Sequence, residues 1–174
     1  MTKRTVKTPK VVQFKPPQAN PQPPMSPQQA AQLQWFEDLK ERADRDGMDN
    51  ALRFAAAHLT LSFERQFRQA MADSVNIFGV LHELTALVSV AEHECHDSEI
   101  VRVLEPEDPA MYRAMLAGPI SMLGDLYTML MARARMEYGE AGQRIFAQAW
   151  GGEVKARITA MQAGDVTETE EVTS

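Results

Sequence analysis

The chain has 174 residues, with 18 Lys and Arg against 24 Asp and Glu, for a formal charge of −6. That length suits one domain with tails, and 44% apolar residues exclude a wholly disordered chain. The net acidity excludes a uniformly basic nucleic-acid coat, and the single cysteine, Cys95, excludes an intramolecular disulfide.

Charge is unevenly placed. Residues 1–24 carry Lys3, Arg4, Lys7, Lys10 and Lys15 and no acid, whereas residues 165–174 carry Asp165, Glu168, Glu170 and Glu171 and no base. A basic arm and an acidic tail thus flank an acidic body. The arm also holds six prolines among Gln, Lys and Thr, which removes backbone donors and favours extended chain. Residues 1–25 therefore read as a disordered basic arm, 26–163 as a helical domain and 164–174 as a disordered acidic tail. The five basic side chains of the arm are candidate phosphate contacts. Val11, Val12 and Phe14 form an apolar island within it, suited to adding onto a partner.

Ser26-Pro27-Gln28-Gln29 is a helix start: Ser26 as cap, Pro27 at the first position, Gln29 closing a capping box. The helix runs to about Arg45 with Leu33, Phe36, Leu39 and Ala43 on one face. Asp38–Arg42 and Glu41–Arg45 are spaced for pairing along it. Gly47 is placed to end it.

Asp49 or Asn50 should cap the next and longest stretch, Met48 to Cys95, which contains no proline. Its apolar residues recur at Leu52, Ala55, Leu59, Phe63 and Phe67. From there a heptad seam runs through Phe67, Ala70, Ser74, Ile77, Leu81, Leu84, Val88, Ala91 and Cys95. Unbroken, such a helix would reach ~70 Å at 1.5 Å per residue. A helix is expected from about Asn50 to His93; the change of phase near Phe67, with Gly79 as a weak point, argues for a bend or a change of packing partner, and leaves open one helix or two with a break near Ser74–Gly79. The seam exceeds what the other helices would cover, so Phe67, Ile77, Leu81, Leu84 and Val88 are the expected homo-oligomer interface.

Residues 94–109 look irregular, and Asp108-Pro109 restarts a helix. Gly118-Pro119 should break it, because proline inside a helix costs ~3 kcal/mol or more. A second helix from Pro119 should end at Gly139, and a last one should span Glu140–Met161 with Ile145, Phe146, Ala149, Trp150, Val154, Ile158 and Met161 on one face. Gly151-Gly152 weakens its middle. Glu140–Arg144 and Glu153–Arg157 should support its two halves, and Arg133, Arg135 and Arg144 read as a solvated basic face balanced by Glu137 and Glu140. No strand alternation or internal repeat is visible. The fold class is all-α, a helical bundle or long helical hairpin of four to six helices.

The sequence Glu92-His93-Glu94-Cys95-His96, with His82 upstream, is the one cluster suggestive of metal. His82, His93 and His96 are weak ligand candidates for zinc or iron. Neither a His-Glu-x-x-His motif nor a Glu three residues before a histidine is present. A helix end rich in histidine is favoured by the helix dipole without any metal. Cys95 closes the heptad seam as a small apolar residue, far from the helix N-terminus that a nucleophilic thiolate prefers. No catalytic residue, phosphate loop or Gly-x-Ser-x-Gly context is found, so no cofactor and no enzymatic activity are expected. The eleven methionines, Met111 to Met136 among them, suit core filling or a soft partner-binding groove.

Three functions follow in order of expectation. The first is a non-enzymatic assembly or adaptor protein that self-associates through residues 48–95 and binds a protein partner with its arm or tail, a layout shared with small phage structural components. The second is a nucleic-acid packaging subunit whose arm multiplies phosphate contacts around an oligomer. The third is a metal-dependent enzyme. A cytoplasmic location is expected, or a virion for a phage-derived chain, since a lone thiol fits a reducing compartment and the N-terminus lacks a secretory apolar core. The window Asn76–Ala91 is too short and polar to predict a membrane span.

Overall fold

The computed structural model describes residues 25–164, and these are all-α, without a strand. Helix α1 (Pro27–Asp46) opens with the expected capping box: Ser26 Oγ accepts from the Gln29 amide at 3.2 Å, and Gln29 Oε1 accepts from the Ser26 amide at 2.9 Å. Gly47 ends it at φ 89, where an L side chain would be strained. Helix α2 (Met48–Asp73) resumes at once, with no side-chain cap. Asn50, expected as a cap, lies inside α2 and donates from Nδ2 to the Asp46 carbonyl at 2.7 Å. The pairings expected along α1 also shift: Arg42 and Arg45 both turn to Asp46, and Asp38 accepts from Gln34.

The long stretch is two helices. After α2 the chain extends through Ser74–Asn76, and α3 (Ile77–His96) begins where Asn76 Oδ1 accepts from the amides of Phe78 and Gly79. A capping asparagine, which stops α2 continuing into α3, makes this break. Gly79 is its accessory: a Cβ there would sit 2.8 Å from Ser74 Oγ, so glycine lets the turn close. Folded back, α2 and α3 cover each other and α6 covers both. Phe67, Ile77, Leu81, Leu84 and Val88 are consequently buried inside a single chain, none more than 3% exposed. The expectation that they meet a second copy is corrected on that ground: the core of this chain already occupies the seam.

The stretch expected to be irregular contains a short helix, α4 (Glu99–Leu104), capped by Ser98 and closed by Glu105 in the left-handed region. Helix α5 (Pro109–Met115) starts on the Asp108 cap, whose Oδ1 accepts from the Ala110 amide at 3.0 Å. The break expected at Gly118-Pro119 falls earlier, at Leu116, so Pro119 occupies the first turn of α6 (Ala117–Phe146), where a missing amide costs nothing. Within α6 the chain reverses at Gly139 (φ 69, ψ −174). Beyond it the backbone runs back along itself, and Gln143 Nε2 donates to the Met131 carbonyl at 2.9 Å. A π-helical turn (Ala147–Gly151) leads into α7 (Gly152–Ala163).

The result is an up-down-up-down arrangement: α2, α3, the first part of α6, and the returning segment through α7. Helix α1 lies over α2, and α4 and α5 bridge one end. The core is continuous from Leu52 and Phe63 through Leu84 and Val88 to Leu123, Leu130 and Ile158. Within Pro109–Ala163 one window is, by length and composition alone, apolar enough to cross a membrane, and 33% of it is buried.

Candidate functional site

Two ends of the bundle carry its distinctive chemistry. At the α4–α5 end, the Glu94 carboxylate accepts from Ser98 Oγ at 2.7 Å and from the Tyr112 hydroxyl at 3.1 Å. This joins α3, α4 and α5 through one acceptor. Tyr112 is fully buried. Burial, and next the charge of Glu94 and its hydrogen bond, push its phenol well above the usual range. It is held as a neutral donor, which suits a structural strut.

Beside it, Arg157 of α7 reaches α3. Its Nε donates to Glu92 Oε1 at 2.7 Å, and its Nη2 donates to both Glu92 Oε2 and, at 2.9 Å, Ser89 Oγ. The Arg157 hydrogen bond holds the Glu92 carboxyl below its ordinary range despite partial burial. The local spacing pointed Arg157 at Glu153, but the fold offers a bidentate partner 65 residues away. A cleft of about 840 Å³ opens here, bordered by Glu92, Cys95, His96, Arg113, Arg157 and Met161. Arg113 makes no ion pair among the described residues.

The histidine candidates are not brought together. His93 and His96 are exposed on the last turn of α3, and His82 lies eleven residues upstream, ~16 Å along the axis. Among the described residues no three His, Cys, Asp or Glu side chains gather around a point where a metal could sit. Cys95 is half-buried against the core, and burial followed by the Glu94 charge raises its thiol, the opposite of what a nucleophilic thiolate needs. The candidate phosphate contacts Lys3, Arg4, Lys7, Lys10 and Lys15 lie outside the described residues.

At the opposite end, where α2 turns into α3 and α6 reverses, large apolar side chains face solvent. Val75 is 98% exposed, Met136 87% and Ile145 67%, with Phe78 and Tyr138 about half exposed; Trp150, also about half exposed, lies further along the returning helix. Ile145 and Trp150 were expected on the covered face of the last helix. Phe146, Val154 and Ile158 do go inward, but across the π-helical turn the buried position after Phe146 is Gly151 rather than Trp150. Phe78 is not free-floating, since its ring lies 5.5 Å from that of Phe146. Arg133 pins this end together. It donates to the carbonyls of Met71 (3.1 Å) and Ser74 (3.4 Å) at the C-terminus of α2 while pairing with Glu137 at 2.5 Å. The sequence placed Arg133 on a solvated face; only its pairing with Glu137 was legible, because its other partners lie about sixty residues away. The remaining methionines divide: Met111, Met115, Met122 and Met131 pack on the core, and Met129 is exposed like Met136.

Comparison of the chain with protein-family models, with curated proteins and with solved structures found no match.

Proposed function

We propose that this chain is a non-enzymatic helical adaptor or assembly module that works by protein–protein contact through its turn end. The observation that carries this is the exposure of Val75, Phe78, Met136 and Ile145 at the end where both reversals of the chain lie. A monomeric bundle with a filled core gains nothing by leaving such side chains in water, and exposed apolar surface of this kind marks interaction sites. The seam of α2 and α3 is not used for this, since it is spent on the chain's own core. We place the module in the cytoplasm, or in a virion if the chain is phage-derived; a half-buried unpaired thiol suits a reducing setting.

The test is a photo-crosslinking side chain at position 75 or 136 of the full chain, activated in its native cell. One discrete protein adduct is expected, lost when Phe78→Glu is added. The absence of any protein adduct at both positions refutes the proposal.

A second reading, nucleic-acid packaging, is favoured by five basic residues and no acid within residues 1–24. It predicts salt-dependent DNA binding that vanishes when residues 1–24 are deleted, and binding unchanged by that deletion removes it.

A further inference from the structure

We propose that a second copy of this chain docks on the outer face of residues 141–156, as an antiparallel two-fold pair centred on the π-helical turn. This rests on the protein–protein function proposed above and names one partner for it.

The face is exposed along its length. Ala141, Arg144, Ile145, Gln148, Ala149, Gly152, Glu153 and Ala156 all face solvent, and the inward side is taken by Phe146, Gly151, Val154 and Ile158. Ile145, 67% exposed, is the large apolar member of this face, and Trp150, 55% exposed, flanks it as the residue type most enriched at interface anchors.

Charge chooses the occupant. Arg144 stands at one end of the face and Glu153 at the other, and neither forms an ion pair among the described residues. A closed dimer uses one patch twice, so residue i meets residue j and j meets i. Turning this face about a two-fold axis between Gln148 and Ala149 sets Arg144 against the partner's Glu153, and Glu153 against the partner's Arg144. The same register sets Ile145 against the partner's Gly152, where no side chain obstructs it, and Ala141 against the partner's Ala156. A parallel pairing would place Arg144 against Arg144 and Glu153 against Glu153, which is repulsive at both ends. One operation satisfies both charges and seats Ile145 on a glycine.

The experiment is light scattering on a size-exclusion column with the full chain, over a hundredfold dilution series, for wild type, Arg144→Glu, Glu153→Arg and the double exchange. All these positions are exposed, and circular dichroism confirms that each variant keeps the fold. Wild type is expected to dimerise, each single variant to raise the dissociation constant about tenfold or more, and the double exchange to restore it. A wild type that is monomeric throughout overturns the inference. So does a dimer indifferent to the single variants, or one weakened by them that the double exchange fails to rescue. The adaptor function is judged separately, by adducts at positions 75 and 136, so either can fail alone.

Discussion

Leu84→Ala separates a core seam from an interface seam. Leu84 is fully buried on α3. Removing its outer carbons forfeits about 0.8 kcal/mol for each of three groups, and the partly relaxed cavity adds ~1 kcal/mol, for a loss of about 3 kcal/mol. Against a typical domain stability of ~5–15 kcal/mol that is a large share, and at ~3 °C per kcal/mol the melting point falls by about 10 °C. The assay is urea unfolding followed by helical circular dichroism, at two protein concentrations a hundredfold apart, with solution mass measured alongside. The gap between wild type and variant should be the same at both concentrations, and the mass of the folded protein should not change. A loss below ~1 kcal/mol accompanied by a change of mass would place Leu84 against another copy and refute the reasoning.

Arg157→Met should cost about 1 kcal/mol at neutral pH, since the pair with Glu92 is only partly shielded. The folded-state pKa of Glu92 is depressed, so the pair's contribution is present above the unfolded value and lost as pH falls through the folded one; the gap to wild type, read by urea titration, should close below pH ~4. Tyr112→Phe should cost about 2 kcal/mol by removing a donor to a carboxylate. Here the folded pKa is raised, so the contribution holds below the unfolded value and fades as pH climbs above ~10, where thermal melts of the two proteins should converge. Gly139→Ala should cost ~1–2 kcal/mol through backbone strain alone, because a Cβ there meets nothing within 4 Å. Calorimetric melting checks it, and a neutral result would mean the reversal tolerates another conformation.

What local sequence determined here is what local chemistry can determine. The capping box at Ser26–Gln29, the stop at Gly47, the Asp108-Pro109 start and the reversal at Gly139 all depend on residues within a turn of one another. So does the apolar spacing that made α2, α3 and α6 helices. The heptad seam was legible too, but periodicity states only that a face is covered, not by what. Asn76 could have been noticed: an asparagine ahead of Ile77 caps as readily as one ahead of Leu52, and it decides that the stretch is two helices. The candidate sites depended on distance in space. Arg157 prefers Glu92 to Glu153 because the fold offers two carboxylate oxygens and a serine at once. Arg133 serves α2 from α6. The π-helical turn puts Gly151, five residues after Phe146, inward in place of Trp150, which no 3.6-residue count foresees. Tertiary structure alone assigned Phe67, Ile77, Leu81, Leu84 and Val88 to the chain's own core, because a seam is satisfied by whichever apolar surface reaches it first, and here that surface is α6 of the same molecule.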